Sequence, residues 1–271
     1  MRDALFRETA GPELQPLARS RALWGQGRDQ MRGMAVSAVL ARVVERSGAG
    51  EGLRLVRWSL DMFRPASLAP VTTKTEVVRS GKRLSLVDAT LHQAGHCVAR
   101  ASALFLAEGA EPPGTVWASD AWHEPPPNDL KPTGPEPRLY YSEGIGWTGE
   151  PQLHQNACRK QTWLPSIPVI AGERLTPFQH AAMATDLVNV VTNWGDAGLS
   201  FINADCALTL GRLPTGDGIG LAAQHRFEHA GIAVGAALVF DATGPLGMAT
   251  ATALTSGQPP IDPRRIGTTA P

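Results

Sequence analysis

Residues 174–205, RLTPFQHAAMATDLVNVVTNWGDAGLSFINAD, hold the groups best suited to moving a proton. Asp186 offers a carboxylate, and Asn203 and Asp205 offer an amide and a second acid further along. A carboxylate that water can reach orients and deprotonates it, and a neutral amide beside it fixes the angle. Such an acid must stand at the edge of a buried face. Met183, Leu187, Val190, Val191 and Trp194 recur at helical spacing and make one apolar stripe. Asp186 lies on its flank, one turn from Ala182 and Val190. With no site, the same residues read as a solvated helix acid and as polar residues that bend or end a strand. Spacing alone leaves both readings open.

The elements that must position these groups are legible. Thr176 is suited to cap a helix, Pro177 to its first position and Gln179 to a capping box, so the spacing predicts one helix over 176–194. After Gly195 and Gly198 a strand is expected over 199–210. Ile202, Ala204, Cys206, Leu208 and Leu210 alternate with Phe201, Asn203 and Asp205. Plain alternation puts Asn203 opposite the most apolar face, so a bulge is needed if that face packs on the helix.

The rest of the chain follows the same grammar. Val36, Val39, Leu40, Val43 and Val44 make a helix face over 34–48, ended by Gly48. Strands are expected over 53–63, 71–78, 83–91 and 96–106, with turns at 79–82 and 92–95. A second series of helix 176–194, strand 199–210 and runs 220–227, 231–240 and 245–254 repeats that order. Strand 53–63 ends in Arg64-Pro65 and strand 199–210 in Arg212-Leu213-Pro214. Repetition of helix, strand, turn and meander argues for a duplicated α+β unit. The expected organisation is a first unit over 22–106, a Pro-rich linker or surface loop over 107–137, and a second unit over 138–256. Trp117 and Trp122 predict that the linker packs against something. Residues 1–20 are expected as an extended lead-in and 257–271 as a tail.

Composition narrows the partners. The 271 residues carry no formal net charge, which gives no protein-wide attraction to nucleic acid or anionic membrane. No stretch approaches the ~20 apolar residues of a membrane span, and the opening residues lack a signal-peptide run. Cys97, Cys158 and Cys206 are odd in number and lack CxxC spacing, which fits a reducing cytoplasm. His92 with His96, and His225 with His229, have four-residue spacing on strand and turn segments, so no metal site is expected. GDGIG at 216–220 lacks the Lys-Ser/Thr of a phosphate loop, and no Gly-x-Ser-x-Gly elbow is present.

Val39-Leu40-Ala41-Arg42, Phe63-Arg64-Pro65, Val77 to Arg83 and Ala99-Arg100-Ala101 in the first copy carry a resemblance. Phe201 to Asp205, Arg212-Leu213-Pro214 and Asp241 to Gly244 carry it in the second. In that order the chain resembles the double-hotdog acyl-CoA thioesterases of the type II kind. The resemblance implies two hotdog units with sheets joined edge to edge, a homo-oligomer, and hydrolysis of acyl-CoA by direct water attack without metal or organic cofactor. It makes Asp186 the general base and Asn203 its partner. The family's last-strand Gln falls on Ala251 or Thr252, so the Thr252 hydroxyl is expected to hold the water. Gln224 and Gln93 are further sources of an amide. Gly33 and Met34, at the start of the first helix, are expected to donate their N–H groups to the oxyanion. The alternative is a degenerate hotdog protein that binds acyl thioesters or hydrophobic acids without turnover. A hydratase would need an Asp–His pair, and His180 lies on another side of Asp186's helix.

Overall fold

The computed structural model describes residues 4–23, 29–118, 120–133, 136 and 138–265. In the first half, β1 (Phe6–Glu8) and β2 (Leu14–Pro16) precede α1 (Gly33–Arg46). Then come β3 (Arg54–Met62), β4 (Thr72–Arg79), β5 (Leu84–Gln93) and β6 (His96–Leu106). The second half opens with β7 (Leu139–Ser142), β8 (Gly146–Thr148) and β9 (Lys160–Pro165), followed by α2 (Pro177–Ala184) and α3 (Val188–Asn193). The short β10 (Trp194–Gly195) and β11 (Gly198–Leu199) pair with each other. Next come β12 (Phe201–Leu210), β13 (Gly218–His229), β14 (Ile232–Asp241) and β15 (Gly244–Thr255).

Eleven strands form one antiparallel sheet in the order β4-β5-β6-β3-β12-β15-β14-β13-β9-β7-β8. Outward from the β3–β12 seam the order is the same on both sides: β3-β6-β5-β4 and β12-β15-β14-β13. The helices share a core with the sheet. From Met34 to Arg42 every residue of α1 is buried. Ser37 ties α1 to α2 through Oγ to the Ala182 carbonyl at 2.5 Å and accepts from Trp58 Nε1 at 2.9 Å.

Two bulges set which side chains face the helices. One lies in β12 between Asn203 and Asp205, where β12 slips against β15. Phe201 is buried before it, and Cys206, Leu208 and Leu210 are buried after it. The extra residue, Ala204, reverses the alternation, so Asn203 and Cys206 both turn inward. The other lies in β3 between Leu55 and Arg57, and brings Leu55, Trp58 and Leu60 to the core together.

Helix 176–194 is not continuous. The Thr176 hydroxyl caps α2 as its sequence predicts, accepting from the Gln179 N–H at 3.1 Å. The chain then tightens into a 3₁₀ turn over Thr185–Leu187 before α3 begins. Thr185 Oγ1 bonds back to the Ala181 carbonyl at 3.1 Å, and Asn203 Nδ2 reaches the Asp186 carbonyl at 3.3 Å. Such bonds draw backbone acceptors off the helix axis.

The outlying segments are docked. Leu5 and Phe6 are fully buried, with N–H groups on the carbonyls of Pro168 and Val169, so the lead-in belongs to the core. In the tail, Ile261 exchanges backbone bonds with Leu199 at 2.8 and 2.9 Å. Trp122 of the Pro-rich segment packs on the outer sheet near Tyr141, and its carbonyl accepts from Gln224 Nε2 at 2.8 Å. Trp117 remains 85% exposed. Among the described residues no helix is long and apolar enough to cross a membrane.

Candidate active site

A cleft of about 400 Å³ opens where the start of α1, the 3₁₀ turn and the bulged end of β12 meet. Asp186, Asn203, Gly33 and Arg32 line it, with Glu136 and Arg138 beside them. Asn203 Nδ2 donates to Asp186 Oδ1 at 3.0 Å. Asn203 Oδ1 is buried and has no partner among the described residues, so the amide keeps an unspent acceptor while its donor end is spent on the acid.

Gly33 permits this arrangement. A Cβ at position 33 would stand 2.7 Å from Asp186 Cγ, 2.9 Å from Oδ2 and closer still to Oδ1. The carboxylate therefore rests against bare backbone at the helix N-terminus, where unpaired N–H groups favour negative charge. The Met34 N–H favours the charged form of Asp186. Gly33 itself lines the cleft at the start of α1. Burial pushes the Asp186 carboxyl above its ordinary value, while Arg138, the Asn203 amide, the Met34 N–H and Arg32 pull the other way. A raised carboxyl is a stronger base once ionised.

Thr252 is not part of this constellation. Its side chain is exposed on β15, outside the cleft wall, and its backbone N–H donates to Asp205 Oδ1 at 3.0 Å. The β15 residue directly opposite Asn203 is Ala253, and Ala251 and Ala253 are the buried ones. Leu254 is the β15 residue in the cleft wall, so the last strand contributes an apolar group here and no hydroxyl or amide. Thr252→Val is expected to leave hydrolysis within about twofold of wild type and stability within about 0.5 kcal/mol, as thiol-release assay and thermal melting would show.

The other amides are committed elsewhere. Gln93 holds the Ser67–Ala69 loop, and Gln224 holds the Trp122 segment. His180 bonds the Leu164 carbonyl at 3.0 Å, and burial lowers it to about 4, so it is neutral and turned away from Asp186's chemistry. Among the described residues no group of three His, Cys, Asp or Glu gathers to hold a metal ion.

Three charged residues in the cleft wall escape a reading of motifs and periodicity. Glu136 Oε2 accepts from Arg138 at 2.7 Å and from Arg32 at 3.1 Å, and all three are buried. Glu136 comes from the Pro-rich segment. An arginine directly before the apolar run Leu139-Tyr140 is the available signal, since a charge entering a buried strand needs a partner.

The corresponding place on the other helix is filled differently. Arg42 stands as far into α1 as Asp186 stands beyond the start of α2. Arg42 is buried and forks onto Glu173 at 2.5 and 2.6 Å, with Glu8 at 2.8 Å. An ion-pair network thus occupies the position that matches the acid.

The long antiparallel sheet packed on its helices, in two halves of like strand order, defines a hotdog-type architecture. The acyl-CoA thioesterase N-terminal domain model matches residues 21–106, and the acyl-CoA thioesterase C-terminal domain model matches 108–255. The chain belongs to the acyl-CoA thioesterase family. Among solved structures it is similar to a conserved protein with hot dog fold from Alicyclobacillus acidocaldarius, at 16% identity over 94% of this chain and 97% of that one, with a TM-score of 0.68. It is also similar to a thioesterase II candidate from Thermobifida fusca YX, at 17% identity over 94% and 96%, with a TM-score of 0.65. An acyl-CoA thioesterase II from Mycobacterium marinum is 18% identical over 84% and 91%, with a TM-score of 0.60. These likenesses show the fold. Comparison with curated proteins gives no match.

Proposed function

We propose that the chain is a double-hotdog thioesterase that hydrolyses acyl-CoA by direct attack of water. The observation that carries this reading is the pairing of Asp186 with Asn203, whose Oδ1 is an unspent buried acceptor in the wall of the cleft that Gly33 also lines. A water between the two side chains donates one hydrogen to Asp186 and the other to Asn203 Oδ1. Asp186 takes the proton as the water oxygen attacks the thioester carbon. The carbonyl oxygen gains negative charge and draws on the Gly33 N–H. Collapse of this intermediate breaks the carbon–sulfur bond, and the thiolate leaves with the proton held by Asp186. The products are a free acid and a thiol.

Other features support the substrate class. Met62, Phe63, Leu199, Phe201 and Ile261 give the cleft an apolar wall suited to an acyl chain. Ile202, Leu254 and Ile232 lie in register across three strands and stay exposed, as do Val234 and Phe227 beside them, which supports association of copies through this sheet face. The three free cysteines support a reducing, cytoplasmic setting. The water attack proposed here draws on side chains and backbone alone, with no metal or organic cofactor.

Thiol release from short- to long-chain acyl-CoAs tests the proposal. Release with a chain-length optimum supports it. Tight binding of acyl-CoA with no release at any length supports the binding-protein reading. Asn203→Ala is expected to lower release about ten- to a hundredfold, the worth of one hydrogen bond to a charged group, with the melting temperature little changed.

A further inference from the structure

Arg32, Glu136 and Arg138 form a buried triad that the water-attack mechanism does not use. Arg32 Nε and a terminal nitrogen also donate to the Arg21 carbonyl at 2.9 and 2.7 Å, and Arg138 stacks over the Tyr140 ring at 5.8 Å. Burial of such a triad is poorly explained by stability, since well-packed apolar residues often serve as well or better. Its charge is the informative feature. Two guanidiniums and one carboxylate leave one net positive charge inside the protein, and Asp186 lines the same cleft. The four groups together are neutral only when Asp186 is ionised.

We infer that Arg32 and Arg138, clamped by Glu136, are positioning residues that keep Asp186 ionised at the mouth of α1. This inference rests on Asp186 as the base. It also gives the Pro-rich connection a task, because that segment delivers the residue that sets how much positive charge the acid feels. The groups acting on Asp186 are Arg32 at the N-cap of α1, the Met34 N–H, Arg138 just before β7, and Asn203 and Cys206 from β12, with Glu136 and Tyr140 packed on the two arginines. Burial pushes the Tyr140 phenol and the Cys206 thiol up, so neither carries charge near neutral pH. Arg32 and Arg138 are the positive groups acting on the acid.

The test reads Asp186 itself and needs no turnover. The full chain labelled with aspartate ¹³Cγ is titrated by NMR, with the Asp186 resonance assigned by its loss in Asp186→Asn. Glu136→Gln removes the clamp's negative charge, and the Asp186 titration is expected to move down by roughly one pH unit. Arg138→Gln is expected to move it up by a similar amount, and Arg138→Lys, which keeps the charge, to return it close to wild type. A structural role alone predicts no such opposed pair. An unmoved titration, or shifts of one sign in Glu136→Gln and Arg138→Gln, overturns the inference. If Glu136→Gln does not fold, the contrast between Arg138→Gln and Arg138→Lys decides it. Full thiol release by Asp186→Asn would instead refute Asp186 as the base while leaving these titrations interpretable.

Discussion

Asp186→Asn is expected to lower thioester hydrolysis by about 10²- to 10⁴-fold, the usual contribution of a positioned general base. The substitution keeps shape and one acceptor oxygen. The Asn203 amide, at 3.0 Å from Oδ1 in the wild type, retains a partner, so the fold is expected to survive. What disappears is the capacity to take a proton from water. The pH dependence has a definite sign. Hydrolysis requires the ionised carboxylate, so the rate of the wild type falls as pH drops through the Asp186 pKa. Because burial raises that pKa, the fall begins above the usual carboxylate range near ~4. Thiol release by wild type and variant across pH, with circular dichroism of both, measures this.

Gly33→Ala has the second large effect, although it adds a single methyl group. On propensity alone, alanine would stabilise a helix relative to glycine by about 1 kcal/mol. At this position the new methyl would meet the Asp186 carboxylate, with Cγ only 2.7 Å away. Overpacking of that kind typically costs about 1–3 kcal/mol, enough to cancel the propensity gain. Relief comes by moving Asp186, since the backbone of α1 is fixed within a buried helix. Such a move breaks the bond to Asn203 and tilts the water away from the Gly33 N–H. The expected result is a melting temperature no higher than wild type and a loss of hydrolysis of about 10²–10³, the scale of one lost oxyanion donor. Wild-type release from a stable Gly33→Ala protein would show that Asp186 and the α1 terminus act independently.

Much of this site can be read in the sequence because it depends on local periodicity. The apolar stripe of Met183, Leu187 and Val190 places Asp186 on an edge, and Thr176-Pro177 marks the helix start. The break at Thr185–Leu187 could not be read there. Its causes include a bond from Asn203, a residue brought back by tertiary structure. The bulge at Ala204 is a requirement of the geometry, but period-two alternation has no signal for where a strand slips. Thr252 is reached by counting along a strand whose register only the pairing reveals, and one step moves a side chain to the other face. The triad is hidden because Pro-rich composition reads as surface. Trp122 follows its expected packing, whereas Trp117 of the same segment does not.

The most direct test is a single-turnover reaction in H₂¹⁸O, with enzyme in excess over acyl-CoA and the released acid analysed by mass. Direct attack by a water held on Asp186 and Asn203 predicts one ¹⁸O atom in the acid formed in that first turnover. Attack by the Asp186 carboxylate itself would form a mixed anhydride, and water opening it at Cγ would leave an unlabelled Asp186 oxygen on the first acid released and put the label in Asp186. Unlabelled acid from the first turnover, or no acid at all, would contradict water attack at this site.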